Sequence, residues 1–214
     1  MPSPSESSVL DALAARTPVV PVVVVDELDQ AVPVARALAA GGVPVVELTL
    51  RTPVALDAVR AIAAEVPEVL VGAGTIVTPG QAEQARAAGA QFLVSPGATP
   101  ALLAAMTDTG LPFLPGTATV SEVLAVLETG HDEMKLFPAE ASGGAAFLSS
   151  VASPVPAARF CPTGGVTPAN AAAYLRLPNV ACVGGTWLTP RDVLAAGDWA
   201  RVTELARAVD DLRA

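Results

Sequence analysis

Short apolar runs alternate with Ala-rich segments along most of the chain. Such runs, bounded by Gly, Pro or polar residues, are typical of strands buried on both faces. They begin about every 20 to 26 residues. The predicted strands are Val19–Val25, Pro44–Arg51, Leu70–Thr75, Phe92–Pro96, Phe113–Pro115, Glu133–Pro138, Arg159–Pro162 and Ala181–Gly184.

The segments between these runs have apolar residues near the 3.6-residue period of a helix. Thr-Pro pairs, as at Thr78-Pro79 and Thr167-Pro168, place a capping hydroxyl before a proline suited to a first helical turn. The predicted helices are Leu28–Ala40, Val54–Glu65, Pro79–Ala88, Thr99–Thr109, Val120–Thr129, Gly144–Val151, Pro168–Leu175 and Ala200–Leu212.

A strand followed by a helix, repeated eight times, predicts parallel strands with right-handed crossovers. We expect a single α/β domain over residues 1–214, a (β/α)₈ TIM barrel. An extra N-terminal helix, from about Ser7 to Arg16, is expected to close the barrel floor. A doubly wound open sheet is the alternative, although it usually needs fewer strands for this length.

Composition limits the classes of partner. The formal charge is −9, which opposes binding to phosphate backbones and makes nucleic acid a poor partner. The mean hydropathy is +0.52, yet the sequence lacks an apolar run of about 18 residues, so we expect no membrane span. The beginning of the sequence lacks signal-peptide features, and Cys161 and Cys182 lie in apolar segments. We therefore expect a cytoplasmic protein with reduced thiols.

Lys135 is the lone lysine among 12 basic residues. Coding bias accounts for scarce lysine, but arginine cannot replace lysine as an amine nucleophile. In the sixth predicted strand Lys135 lies between Met134 and Leu136, so alternation directs it inward. Burial disfavours a charged amine, and a neutral amine can attack a carbonyl to form a Schiff base. A structural lysine neutralised by Glu133 or Glu47 is the alternative.

The second predicted strand carries polar residues on one face. Glu47, Thr49 and Arg51 alternate with Leu48 and Leu50, so we expect all three to point inward. Buried polar groups are costly unless they are paired or line a wet site. The carboxylate is a candidate for proton transfer and the guanidinium for binding a substrate carboxylate. An internal Glu47–Arg51 ion pair that only braces the fold is the alternative.

Glycine pairs follow the last two predicted strands, in Thr163-Gly164-Gly165 and Gly184-Gly185-Thr186. In a TIM barrel, backbone N–H groups at these strand ends commonly bind phosphate. Tight turns that need positive φ are the alternative. Gly72-Ala73-Gly74-Thr75 resembles part of a dinucleotide fingerprint, but Val77 replaces its third glycine. We expect its small residues to make room at the barrel mouth and Thr75 to bind a substrate oxygen.

We expect neither a metal nor a cofactor. His131 is the only histidine, and we expect it at the surface below the sixth strand. A site with two or three histidines cannot be built from one chain.

Taken together, these segments resemble the KDPG/KHG aldolases, which cleave 2-dehydro-3-deoxy-6-phosphogluconate and 4-hydroxy-2-oxoglutarate. The resemblance covers roughly residues 15–205. It is carried by Gly42–Arg51, Val71–Thr75, Ser95–Gly97, Gly130–Gly143, Phe160–Gly165 and Gly184–Leu188. The resemblance implies a class I aldolase, usually a homotrimer, on a (β/α)₈ barrel.

The resemblance also implies roles for individual residues. It makes Lys135 the Schiff-base lysine and Glu47 the general acid/base. The substrate-binding residues it implies are Arg51, Thr75, Phe137, Thr163 and Pro96, and the phosphate-binding residues are Gly164, Gly165, Gly184, Gly185 and Thr186.

Two departures from the family pattern concern the aldehyde half of the substrate. Thr186 stands where serine is expected, and Thr117-Ala118 replaces the more usual Ile-Ser. Thr49 and Arg51 supply a Thr-x-Arg pattern that galactonate-specific relatives tend to lack. The implied substrate is therefore a small 2-oxo acid phosphate, cleaved to pyruvate and D-glyceraldehyde 3-phosphate. Alternatives are 4-hydroxy-2-oxoglutarate as main substrate, a non-covalent phosphosugar isomerase or synthase, and an inactive anion-binding barrel.

Overall fold

The computed structural model describes residues 8–212. They contain nine parallel-paired strands. The strands are β1 Val19–Val23, β2 Val45–Thr49, β3 Leu70–Gly74, β4 Phe92–Val94, β5 Phe113–Leu114, β6 Gly116–Thr117, β7 Glu133–Leu136, β8 Arg159–Pro162 and β9 Val183–Gly185.

Helices alternate with these strands. The α-helices are α1 Val9–Ala14, α2 Ala31–Ala40, α3 Ala55–Glu65, α4 Pro79–Ala87, α5 Pro100–Asp108, α6 Val120–Leu127, α7 Gly144–Ala152, α8 Ala171–Leu175, α9 Arg191–Ala195 and α10 Trp199–Arg207. Three 3₁₀ helices span Leu28–Gln30, Glu140–Ser142 and Asp210–Leu212.

The strands form a curled six-stranded sheet, in the order β5-β4-β3-β2-β1-β9, and a three-stranded sheet, in the order β6-β7-β8. The predicted α/β class is thus confirmed, with parallel pairing throughout. The run β5-β4-β3-β2-β1 lacks the reversal of strand order that marks a doubly wound sheet.

Pro115 separates β5 from β6. Proline has no N–H to donate to a strand ladder, so pairing is interrupted there. The backbone before it pairs with β4, and the backbone after it pairs with β7. Two isolated parallel bridges, Phe160 with Val180 and Thr163 with Gly184, bring the ends of the two sheets together.

The N-terminal helix covers one end of this strand arrangement. Leu10 and Leu13 of α1 are fully buried in a cluster with side chains from β1, β2, β4, β5 and β8. The N-cap Ser8 accepts a hydrogen bond from the Asp11 N–H at 2.9 Å, and the Leu10 N–H donates to Glu133 Oε2 at 3.1 Å. The predicted helix from Ser7 to Arg16 is therefore present but shorter, and Ser7 lies outside the described residues.

Several predicted boundaries were wrong. The second strand ends at Thr49 rather than Arg51, because the chain turns at Leu50. The helix expected from Pro168 begins at Ala171, because Asn170 Oδ1 accepts the Thr167 N–H and holds residues 167–170 in a turn. The five-residue α9 was not predicted. His131 is partly exposed at the surface before β7, as expected, and its ring lies 4.3 Å from that of Phe113.

Substitution of Leu13 by Ala tests the packing of α1. We expect Leu13→Ala to lower the free energy of unfolding by about 2–5 kcal/mol, because it leaves a cavity in a fully buried cluster. Leu124, which is 47% exposed on α6, supplies the matched control. Leu124→Ala should change stability by no more than about 0.5 kcal/mol. Urea unfolding measures both, and equal losses would contradict a packed position for α1.

Candidate active site

Lys135 and Glu47 form a buried ion pair. Lys135 Nζ, on β7, lies 3.2 Å from Glu47 Oε1, on β2. Lys135 is only 4% exposed and Glu47 only 2%. Strand alternation places both side chains here, since Met134 and Leu136 beside the lysine belong to the apolar core on the other face. Because a buried ion pair must offset the desolvation of both charges, it is weak evidence for a stabilising role.

The neutralising partner of Lys135 is thus Glu47 rather than Glu133. Glu133 instead accepts hydrogen bonds from α1, and its Oε1 lies 3.1 Å from Arg159 Nη1. The other structural alternative, an internal pair between Glu47 and Arg51, is wrong, because Arg51 follows the end of β2 and is exposed.

Phe137 lies directly after β7 and borders the lysine. Its ring centroid is 5.2 Å from Lys135 Nζ, within the range of a cation–π contact. The same ring reaches the turn after β8, because a Cβ on Gly164 would lie 3.2 Å from Phe137 Cε2. The ring therefore connects the lysine to the first glycine pair. The peptide bond from Phe137 to Pro138 is cis.

Arg51 and Thr75 form a second polar contact, after β2 and β3. Arg51 Nε donates a hydrogen bond to Thr75 Oγ1 at 3.1 Å. Thr75 has a φ of 61°, the one positive value among the non-glycine residues 8–212. A β-branched residue in this region carries strain of about 1–3 kcal/mol. Strain of this kind clusters at functional sites, which favours a role for Thr75 beyond folding.

Pro96 and Thr163 also lie just after the C-terminal ends of strands, β4 and β8. Pro96, after β4, packs so closely on Gly116 that a Cβ there would lie 2.2 Å from the Pro96 carbonyl carbon. Gly116 is itself in register with Lys135. Thr163, after β8, is 4% exposed, and its Oγ1 donates to the Cys161 carbonyl at 3.4 Å.

The two glycine pairs differ in conformation. Gly164 and Gly165 have φ values of 98° and 81°, so their turn requires glycine. Gly184 and Gly185 belong to β9 and need no positive φ. They are required for space instead, since a Cβ would lie 2.2 Å from Thr163 Oγ1 at Gly184 and 1.9 Å from the Trp187 ring at Gly185. The turn alternative is therefore wrong for the second pair.

Thr186 directly follows β9 and is exposed. Its position next to Gly185, together with the Thr163–Gly184 bridge, places the two glycine pairs side by side. The structure thus links the predicted residues through contacts, from Glu47 through Lys135 and Phe137 to Gly164.

Two more residues border this site: Thr117, named above as a departure from the family pattern, and Glu140, which sequence reasoning missed. Thr117 is 1% exposed, and its Oγ1 donates to the Lys135 carbonyl at 3.4 Å. Glu140 lies against Gly165, where a Cβ would be 2.6 Å from Glu140 Cγ. Strand alternation in the sixth run reaches only Phe137, so it carried no signal for Glu140.

Among residues 8–212, no group of three or more His, Cys, Asp or Glu side chains is arranged to hold a metal ion. No helix in that range is both long and apolar enough to cross a membrane.

Comparison of the sequence with known proteins identifies a family to which the chain is similar. The aldolase family model for "KDPG and KHG aldolase" matches residues 10–205. The KHG/KDPG aldolase of Escherichia coli K12 is 55% identical over 190 residues, covering 89% of each protein.

Solved structures agree with this match. The crystal structure of KDPG aldolase from Legionella pneumophila, with pyruvate captured as a covalent carbinolamine, has a TM-score of 0.91 and 46% identity over 94% of this chain and 97% of that one. That of the Zymomonas mobilis 2-keto-3-deoxy-6-phosphogluconate aldolase with 3-phosphoglycerate has a TM-score of 0.89 and 43% identity over 94% of each chain. The chain with the buried Lys135–Glu47 pair therefore belongs to the KDPG and KHG aldolase family.

Proposed function

We propose that this protein is a class I aldolase that cleaves 2-dehydro-3-deoxy-6-phosphogluconate to pyruvate and D-glyceraldehyde 3-phosphate. The observation that carries the proposal is the 3.2 Å contact between Lys135 Nζ and Glu47 Oε1 inside the protein. The covalent pyruvate adduct of the Legionella relative supports imine chemistry. The names of the curated relatives support the substrate class.

Lys135 is the nucleophile in this proposal. Glu47, whose Oε1 lies 3.2 Å from Lys135 Nζ, takes a proton from the ammonium group, which leaves the nitrogen lone pair free to attack the C2 ketone. Addition gives a carbinolamine. Glu47 returns its proton to the carbinolamine hydroxyl, so that loss of water gives a protonated imine and restores the carboxylate. The positive nitrogen then serves as the electron sink for the next bond to break.

Glu47 is the acid and base of the cleavage step. Its carboxylate, acting through water, takes the proton of the C4 hydroxyl. The electrons of the C3–C4 bond move toward the imine nitrogen, so the aldehyde leaves and an enamine remains. Glu47 returns a proton to the enamine carbon, and hydrolysis frees pyruvate and Lys135.

The substrate sites are proposed from the strand ends. Arg51 and Thr75, joined by their 3.1 Å hydrogen bond, bind the carboxylate of the pyruvate portion. The residues proposed to line the rest of the pocket are Phe137, Thr163 and Pro96. Gly164, Gly165, Gly184, Gly185 and Thr186 are proposed to bind the phosphate. Their backbone supplies N–H groups for an anion in a chain whose net charge is −9.

A second substrate is favoured by the E. coli relative, whose name joins KHG and KDPG. We propose 4-hydroxy-2-oxoglutarate, cleaved to pyruvate and glyoxylate by the same imine chemistry, as the weaker substrate. The glycine pairs favour the phosphorylated acid. A non-covalent isomerase or synthase would not need the buried amine.

The remaining proposals concern architecture. We propose that the two sheets close into one (β/α)₈ barrel spanning residues 1–214, supported by the β5–β6 stretch that pairs with both sheets and by the bridge from Thr163 to Gly184. The family resemblance supports a homotrimer. The free, buried Cys161 and Cys182 support a reducing, cytoplasmic location.

Borohydride trapping tests the proposed nucleophile. The primary amines of the sequence are the side chain of Lys135 and the N-terminal amino group. We expect pyruvate and borohydride to give a single stable adduct on Lys135, located by peptide mass spectrometry. Lys135→Arg should keep the fold but lose both the adduct and turnover, because a guanidinium stays protonated. An unmodified wild-type protein would instead favour the non-covalent isomerase or the inactive anion-binding barrel.

Proton exchange at the pyruvate methyl group tests Glu47. We expect Glu47→Gln to slow exchange into deuterated water by about 10²–10⁴-fold, because positioned proton transfer is lost. Proton nuclear magnetic resonance measures the rate in the absence of any aldehyde. An unchanged exchange rate would exclude Glu47 as the acid and base.

Gly74 tests whether the position of the Glu47 carboxylate matters. A Cβ on Gly74 would lie 2.2 Å from Glu47 Oε1, so Gly74→Ala must displace the carboxylate. A displacement of about 1 Å costs on the order of 10²-fold in rate, and we expect a loss of that order in kcat. Gly80→Ala is the matched control, because a Cβ at Gly80 meets nothing within 4 Å. If both variants retained full kcat, the proposed placement of Glu47 would be wrong.

A further inference from the structure

The segment after β7 is bound to the turn after β8. The Ala139 N–H donates to the Thr163 carbonyl at 2.8 Å, and the Glu140 N–H donates to the Gly164 carbonyl at 3.0 Å. These bonds attach the backbone that follows Lys135 to the turn proposed to bind phosphate. These two backbone hydrogen bonds hold Thr163 and Gly164, but neither of them involves Gly165.

The side chain of Glu140 lies against Gly165. A Cβ at Gly165 would be 2.6 Å from Glu140 Cγ and 2.7 Å from Glu140 Cβ. On its other side, the Gly165 carbonyl accepts a hydrogen bond from Asn170 Nδ2 at 3.1 Å. The stem of Glu140 therefore occupies the space into which Gly165 would otherwise move.

Tyr174 anchors the far end of that side chain. Its hydroxyl donates a hydrogen bond to Glu140 Oε1. Tyr174, on α8, is 1% exposed and belongs to the main hydrophobic core. Burial, and secondarily the bond to Glu140, raises the pKa of the phenol above its usual value of 10.0, so it remains a donor at neutral pH.

We propose that Glu140 and Tyr174 are positioning residues that hold the Gly164–Gly165 turn in its phosphate-binding conformation, and that they set the preference for phosphorylated over unphosphorylated substrate. This inference rests on the proposed function. Neither residue acts on the imine, since Glu140 reaches the site only through the turn.

The physical reason is the freedom of the turn itself. Two consecutive glycines at positive φ have many alternative conformations, so their N–H groups point toward an anion only if the turn is held. Without the tyrosine hydroxyl, the carboxylate of Glu140 is also free to approach those N–H groups. It would then compete with a phosphate and repel it.

Three variants distinguish the mechanical support of the Gly164–Gly165 turn from the effect of the negative charge on Glu140. Tyr174→Phe keeps the buried ring but releases the carboxylate, and Glu140→Ala removes the side chain from Gly165. Glu140→Gln is the matched control, since its amide oxygen still accepts the tyrosine bond and its stem still fills the space. We expect Tyr174→Phe and Glu140→Ala to raise KM for the phosphorylated acid about tenfold, the size of one lost charge-assisted bond. Glu140→Gln should stay within about twofold of wild type.

The unphosphorylated substrate provides the second comparison. For 4-hydroxy-2-oxoglutarate we expect kcat and KM of all three variants within about twofold of wild type, because this substrate carries no phosphate for the turn to bind. Inorganic phosphate should inhibit cleavage of the phosphorylated acid competitively in the wild type and in Glu140→Gln, but about tenfold more weakly in the other two.

A spectroscopic measurement tests the contact itself. Tyr174 is the single tyrosine of the chain, so tyrosinate absorbance reports on it alone. Because Glu140 contributes to its raised pKa, Glu140→Ala should lower the titration midpoint relative to wild type. Circular dichroism at each pH shows whether the proteins are still folded, and midpoints that coincide in the folded proteins would refute the contact.

The possible failures are distinct. Equal losses on both substrates, or an unchanged KM for the phosphorylated acid, would overturn the positioning role while the wild-type adduct on Lys135 still supported an aldolase. A wild-type protein that forms no pyruvate adduct would overturn the proposed function and, with it, the inference.

Discussion

The buried contact between one amine and one carboxylate is the constraint on which the rest of the structure depends. Lys135 and Glu47 are 88 residues apart in sequence and lie on strands that are not neighbours. Desolvating both groups costs free energy that apolar residues at the same positions would not. The folded chain must therefore supply that energy from its apolar core, in which α1 and the helices around the sheets take part.

Strand alternation predicted much of this arrangement. Lys135 and Glu47 lie within strands whose neighbouring residues are apolar, so period-two patterning correctly directed both inward. Arg51 follows the same alternation, but β2 ends two residues earlier, and alternation has no meaning beyond a strand end. The candidate role of Arg51 in binding a carboxylate was first inferred from that alternation and was also implied by the family resemblance, and its bond to Thr75 at the strand ends supports it.

Other features depend on contacts that local patterns cannot encode. Thr167-Pro168 has the residue types of a helix start. Asn170 Oδ1 accepts the hydrogen bond of the Thr167 N–H, however, and the helix begins only at Ala171. Tyr174 and Glu140 are 34 residues apart, and neither belongs to a motif that predicts their bond. The β5–β6 stretch was predicted to end at Pro115, because a proline lacking an N–H gives no sign that pairing resumes on the other side.

The backbone conformation of Thr75 adds a free-energy cost that the rest of the molecule must offset. Its left-handed backbone is a conformation that glycine or asparagine would adopt at lower free energy. A chain selected only for resistance to denaturation would place one of those residues there. With a hydroxyl-bearing, β-branched residue at this position, the rest of the fold must offset the free energy of the strained backbone, so its stability margin limits how much local distortion the chain can retain.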